Sequence, residues 1–158
     1  MLGSKYEGSD QPWFVDALSG EVRTPANVKE RTDALALGLQ TCLFQGHSCT
    51  SMLSSSNITT DSYATGPVVS LISTNDIDYG TCVWASHKLG CTVAPSNAGS
   101  TVDELTYQLR LSGSTAIIAH PNTLAKVLAA ADVVGISAEK IFVLARGQVA
   151  NLDEQIQA

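Results

Sequence analysis

Three quoted segments decide the fold: residues 68–79 read VVSLISTNDIDY, residues 88–97 read KLGCTVAPSN, and residues 103–109 read DELTYQL. The first opens with an apolar run of the kind that is buried on both faces of a sheet. From Pro67 to Leu144, strand-like runs alternate with amphipathic segments and polar turns. This alternation requires crossover connections and predicts an α/β fold, a three-layer parallel sheet with helices on both faces.

Local signals place several helix ends within this stretch. Thr101 and Glu104 have the spacing of a capping box, in which each residue satisfies the backbone N–H of the other. Gly90 and Gly135 follow helical apolar patterns, where a left-handed residue ends a helix. We expect a helix to start after Thr101 and two others to end at the glycines.

The other boundaries around the second strand follow from turn chemistry. Asn75 or Asp76 can cap the helix that follows the first strand. Residues 91–94 read as a short strand, and residues 95–99, PSNAG, are expected to form a loop.

Upstream of this stretch, residues 13–16 and 21–23 flank a turn that ends at Gly20 and predict a small N-terminal β-hairpin. Thr24 is a suitable N-cap, and the apolar spacing after it predicts a helix over residues 25–43.

The chain of 158 residues is expected to form one domain. Residues 1–11 are predicted to be a disordered N-terminus, and residues 12–147 a single α/β domain. Within that domain, residues 44–66 are rich in Ser and Thr, show no period, and read as an insertion loop. Residues 148–158 form a polar C-terminal tail that is expected to fray.

Composition excludes two classes of function. The net charge is −6 and the nine Lys and Arg residues form no cluster, so we expect no nucleic-acid partner. The apolar runs are too short for a membrane span, and the first ten residues lack the apolar core of a signal peptide. The sequence therefore predicts an intracellular, cytoplasmic protein.

The four cysteines give no metal motif, because no two of them have the Cys-x-x-Cys spacing. His47 and Cys49, with Cys42 nearby, offer three ligands without an apparent fourth. We predict no metal site and read the cysteines as buried free thiols of a reducing compartment.

A candidate ligand site lies at the ends of the predicted strands. Open parallel sheets bind ligands beyond the carboxyl ends of their strands. The polar residues expected at that edge are Ser73, Asn75, Ser96, Asn97, His120 and Asn122. The alternative is that they only cap helices and form turns.

Residues 112–115, SGST, superficially look like part of a phosphate-binding loop. They lack the Gly-x-Pro-Lys that would follow and run directly into a strand, so we interpret them as a helix-to-strand turn. The chain contains no GxSxG, GxxxxGK[ST] or GxGxxG pattern, and a Ser/His/Asp triad has no support.

The segments quoted first resemble the N-terminal region of acyl-CoA synthetases of the 4-coumarate–CoA ligase type, in the adenylate-forming superfamily. A weaker likeness extends upstream, through residues 14–20 and 24–39. It covers most of residues 12–145 and is broken by residues 44–66, where the family has a short turn.

This resemblance implies the first subdomain of the ligase fold. Complete family members use ATP, Mg and CoA to make an acyl-adenylate from a carboxylic acid and then pass the acyl group to the CoA thiol. The family's phosphate loop, ribose-binding acid, catalytic lysine and carboxylate pocket lie beyond the matched region. No catalytic residue is therefore carried over, and no cofactor is expected for this chain alone.

Two hypotheses follow. In the first, the chain is the N-terminal portion of an acyl-CoA synthetase, inactive alone, whose partner is the remainder of a ligase or a full-length homologue. In the second, it is a stand-alone α/β binding or interaction module that uses the strand edge or an exposed apolar face.

Overall fold

The computed structural model of the protein describes residues 10–44, 66–145 and 148–151. Residues 45–65 of the predicted insertion loop and most of the predicted N-terminus and C-terminal tail lie outside these residues, whereas Phe44 belongs to the helix that precedes the insertion. The described chain begins with a hairpin and continues into an α/β unit whose elements occur in the predicted order.

The hairpin confirms the first upstream prediction. Strands β1 (Phe14–Val15) and β2 (Val22–Arg23) pair antiparallel. The turn needs a left-handed residue, which Gly20 supplies with φ of 73°. Asp16 Oδ1 accepts the backbone N–H of Leu18 at 2.9 Å and stabilises the turn locally.

Helix α1 (Pro25–Phe44) follows the hairpin. As predicted, Thr24 caps it: the Thr24 hydroxyl accepts the Asn27 N–H at 3.3 Å. The buried residues of this helix include Val28, Leu35 and Leu39, which belong to the apolar stripe read from the sequence.

The central sheet has the strand order β4-β3-β5-β6-β7. Its first four strands, β3 (Val68–Ser73), β4 (Thr92–Asn97), β5 (Ala116–Ala119) and β6 (Ile141–Ala145), are parallel, as predicted. Strand β7 (Gln148–Asn151) is antiparallel to β6, so the segment read as a fraying tail begins with a strand. Two residues separate β6 from β7, and a parallel return would need a dozen or more.

The sheet has a separate core on each face because successive strand residues point to opposite sides. Leu71 and Ile118 pack with α1 and with α2 (Tyr79–Lys88). Ile72 and Ile117, their neighbours along the two strands, pack on the opposite face with the helices α3 (Val102–Ser112) and α4 (Leu124–Val134).

Strand β4 is longer than predicted. The expectation of a loop over residues 95–99 was wrong for Pro95, Ser96 and Asn97, which pair with Leu71, Ile72 and Ser73 of β3. The reason is that β4 lies at the edge of the sheet. A proline nitrogen that faces away from the one neighbouring strand breaks no ladder hydrogen bond.

The helix ends agree with three predictions and correct one. The capping box is present, with Glu104 N–H to the Thr101 hydroxyl at 3.3 Å and Thr101 N–H to Glu104 Oε2 at 2.8 Å. Gly90 and Gly135 have φ of 72° and 84°, as the helix ends require.

The prediction that Asn75 or Asp76 caps α2 was wrong. The helix begins at Tyr79, and Asp78 occupies the N-cap position without a side-chain cap bond. Asp76 instead stabilises the preceding turn, where its Oδ1 accepts the Asp78 N–H at 2.8 Å.

Candidate functional site

The carboxyl ends of β3, β4 and β5 meet at one edge of the sheet and form an open cleft of about 510 Å³. The described residues that line it are Ser73, Thr74, Asn75, Asn97, Ala98, Gly99, Asn122 and Thr123. Four of the six residues predicted from the sequence are therefore brought together here: Ser73, Asn75, Asn97 and Asn122.

The other two predicted residues lie behind the cleft rather than in its lining. His120 Nδ1 accepts the Asn122 N–H at 3.2 Å and caps the 3-10 turn Pro121–Thr123. Ser96 is half-buried within β4, paired with Ile72. For His120, the structure shows the capping role that sequence analysis gave as the alternative.

Short hydrogen bonds hold the lining in place. Asn97 Oδ1 accepts the Gly99 N–H at 2.8 Å, and a Cβ on Gly99 would lie 3.3 Å from that oxygen. The buried Thr123 hydroxyl donates to the carbonyl oxygens of His120 at 2.8 Å and Ile72 at 3.2 Å. Ser73 donates to the Thr74 carbonyl at 2.7 Å. The floor of the cleft is thus preorganised by its own contacts.

Lys126 is a residue beside the cleft that sequence reasoning missed. Its Nζ donates to the carbonyl oxygens of Ala98 and, at 3.0 Å, Ser100, and so ties the loop after β4 to α4. The one available signal was its position three residues into a helix that starts at the ligand edge. Two of its three N–H donors are thereby used by the protein.

A buried ion cluster fixes the loop that leads from β3 into α2. Asp78 accepts from Arg31 Nε at 2.8 Å and Nη2 at 2.5 Å, and from Arg23 Nε at 3.4 Å. Arg23 also pairs with Glu21 at 2.5 Å. Asp78 and Arg23 are only 7% and 8% exposed.

The cluster joins the hairpin and α1 to one wall of the cleft. Burial lowers the pKa of Arg23, but its hydrogen bonds to Glu21 and Asp78, together with the attraction of these two carboxylate charges, outweigh that desolvation and leave the pKa raised. Arg23 and Arg31 lie 55 and 47 residues from Asp78 in the sequence, so no local sequence pattern predicts these ion pairs.

The segment that superficially looked like a phosphate loop is the helix-to-strand turn that sequence analysis expected. Helix α3 ends at Ser112, and Gly113 follows as its left-handed C-cap with φ of 63°. The Ser114 hydroxyl lies 2.7 Å from the hydroxyls of both Ser70 and Ser112. These serines bind one another, and the turn leads into the amino end of β5, across the sheet from the cleft.

Among the described residues there is no group of three or more His, Cys, Asp or Glu side chains that could hold a metal ion. Cys42, Cys82 and Cys91 form no disulfide with one another. Burial, with the nearby charges of Asp78 and Asp76, raises the pKa of Cys82 to about 12, which leaves it an unreactive thiol. None of the helices in the described ranges is both long and apolar enough to cross a membrane.

Fold and cleft together define an open α/β scaffold with a polar, uncharged groove at the carboxyl edge of its parallel strands. No family model matches the chain. Similarity to individual known proteins is nevertheless clear.

The acyl-CoA ligase cm3C of the fungus Cordyceps militaris is 30% identical over 141 residues, which are 87% of this chain and 22% of that protein. The acyl-CoA ligase AFT1-1 of Alternaria alternata is 42% identical over 76 residues, 48% of this chain and 13% of the relative. The solved benzoate CoA ligase from Burkholderia xenovorans LB400 superposes with a TM-score of 0.66 at 16% identity, over 94% of this chain and 25% of that one. This last likeness shows the fold alone.

These findings confirm the resemblance stated from the sequence. The chain is similar to the N-terminal region of acyl-CoA ligases of the adenylate-forming superfamily. It spans about a quarter or less of the length of each protein named above.

Proposed function

We propose that this chain is the N-terminal portion of a cytoplasmic acyl-CoA synthetase and supplies scaffold to a site that other sequence completes. The observation that carries the proposal is the similarity of 87% of the chain to 22% of an acyl-CoA ligase. The completed enzyme activates a carboxylic acid with ATP and Mg and transfers the acyl group to CoA. Its partner is the remainder of a ligase or a full-length homologue.

The chain alone does not form acyl-adenylate in this proposal. Adenylation needs backbone N–H groups and a cation aimed at the phosphates. The sequence has no phosphate loop, the eight described lining residues of the cleft are uncharged, and Lys126 binds two carbonyl groups.

Complementation tests the scaffold role. A Cordyceps ligase from which the matched 141 residues are deleted should show no exchange of pyrophosphate into ATP. Adding the ligase's own deleted segment is the positive control, and adding this chain should restore exchange as well. If the ligase's own segment restores activity and this chain does not, the scaffold role is wrong.

A second candidate, a stand-alone binding or interaction module, is favoured by the outer face of the hairpin. Val15 and Val22 are paired across the strands and are 59% and 42% exposed, and Leu18 at the turn is 94% exposed. Apolar exposure of this kind is typical of an interaction surface. Light scattering tests the apolar surface: self-association abolished by Leu18→Ser is expected for the module and also for a chain that lacks its complement, and a monomer at all concentrations would count against the module.

The strand edge is the proposed ligand site under either candidate. Ser73, Asn75, Asn97 and Asn122 contact the ligand. His120 holds the backbone of Asn122, and Ser96 places Asn97 at the end of β4.

A further inference from the structure

We infer that the cleft at the strand edge takes an uncharged ligand with a planar amide or amidine edge, such as a nucleobase or a peptide-type amide, and rejects free phosphate. The inference rests on the proposed ligand site and adds the chemical class that this site recognises. It requires neither the ligase activity nor the complementation by a partner.

The lack of charge among the described lining residues disfavours a phosphate ligand. The eight described residues that line it carry only amide, hydroxyl, methyl or hydrogen side chains. The ammonium of Lys126 lies behind the Ala98–Ser100 loop and donates to two of its carbonyl oxygens. A phosphate there would meet no charged side chain among the described lining residues, so neutral donors would compensate only part of the hydration that it loses.

Two asparagines give the cleft its recognition chemistry. The side-chain amides of Asn75 and Asn122 are exposed and bond to no other described residue. Each offers a donor and an acceptor in one plane, the arrangement that pairs with an amide or with the N6/N7 edge of adenine.

Asn97 complements this pair. Its oxygen accepts the Gly99 N–H, which holds the amide in place and leaves its NH2 group available as a donor. The three amides come from the ends of three adjacent strands, and the volume of about 510 Å³ is that of a small-molecule site.

NMR titration tests the inference directly: ¹⁵N-labelled protein is titrated with adenosine, N-acetylglycinamide or inorganic triphosphate, and the side-chain amide resonances are followed. We expect saturable shifts of the Asn75 and Asn122 NH2 signals with at least one neutral probe, which also identifies the ligand source. The double variant Asn75→Ser, Asn122→Ser, followed at the Asn97 NH2 signal in both proteins, should bind about tenfold more weakly. The control Thr92→Ala removes an exposed hydroxyl at the opposite end of β4 and should bind as the parent does.

Two outcomes would overturn the inference: triphosphate that shifts these signals at lower concentration than either neutral probe, or no shift with any of the three. Both substituted asparagines are exposed, and an unchanged backbone spectrum verifies that the variant is folded. The pyrophosphate exchange assay is independent, since a chain without exchange activity can still bind a neutral ligand.

Discussion

Asp78 is the residue on which the link between hairpin and sheet depends. Its side chain is 9% exposed and shared by Arg23, 10% exposed, and Arg31, 25% exposed. This carboxylate balances the charge of two guanidinium groups that are largely removed from solvent. The loop that contains Asp78 also forms one wall of the cleft, so the ion cluster stabilises both the fold and the candidate site.

Replacement of Asp78 by Asn should therefore lower the free energy of unfolding by about 3 kcal/mol, because Arg31 loses its carboxylate partner and Arg23 keeps only Glu21. Urea denaturation followed by tryptophan fluorescence measures this, since Trp13 and Trp84 pack at a centroid distance of 6.3 Å beside the hairpin. Asp33→Asn removes an exposed carboxylate that pairs with Lys29 and Lys88, and it should cost less than about 1 kcal/mol. Equal losses in the two variants would show that the cluster has no special role.

Cys82 should be inert toward thiol reagents while the protein is folded. Its pKa of about 12 leaves almost no thiolate near neutral pH, and it is 1% exposed. In a Cys49→Ser background, disulfide-exchange reagents should modify the half-buried Cys42 first and Cys82 only after denaturant is added. Rapid modification of Cys82 in native buffer, mapped by peptide mass, would contradict its placement in the core.

At the scale of elements, the capping box starts helix α3 and the helix then packs beneath the sheet. Thr101→Ala should cost about 1 kcal/mol of unfolding free energy, because the Glu104 N–H loses its acceptor. Ser137→Ala is a matched control, since Ser137 occupies an N-cap position without a side-chain cap bond. A loss in the control as large as that in Thr101→Ala would refute a capping role.

The same box gives a pH dependence. The backbone and side-chain hydrogen bonds from Thr101 lower the pKa of Glu104 below 4.5 in the folded protein. Because the pKa of Glu104 is lower in the folded than in the unfolded protein, its ionised carboxylate stabilises the fold above about pH 4.5. This stabilisation is lost as the pH falls through the folded pKa. Glu104→Gln should therefore show a shallower decline in acid-unfolding curves, and identical slopes would disprove the coupling.

Elements with local determinants were predictable from the sequence. The capping box at Thr101, the left-handed Gly90 and Gly135 and the apolar run of β3 each depend on neighbouring residues, and each was confirmed. The prediction ended strand β4 before Pro95, because a proline is tolerated within a strand mainly at the edge of a sheet. That β4 is an edge strand depends on the strand order, which is a property of the tertiary structure.

The candidate site was predictable to the same degree. Strand ends placed Ser73, Asn75, Asn97 and Asn122 at one edge because parallel strands finish together. The contacts of Lys126 and of the Asp78 cluster were not predicted, because packing between elements that are distant in sequence determines their partners.

At the scale of the whole molecule, the five-stranded sheet is covered by α1 and α2 on one face and by α3 and α4 on the other. This is the fold that the solved ligases share over about a quarter of their length. The resemblance implies that the groups that bind phosphate in the family lie outside the matched region, and we propose on that basis that this chain supplies scaffold without adenylation chemistry.

The most direct measurement is isotope exchange between pyrophosphate and ATP, with the pure chain, Mg and a panel of carboxylic acids. An intact acyl-CoA ligase with its own acid serves as the positive control. We expect no exchange above the protein-free blank for any acid. Exchange that rises in proportion to the concentration of the chain would contradict it.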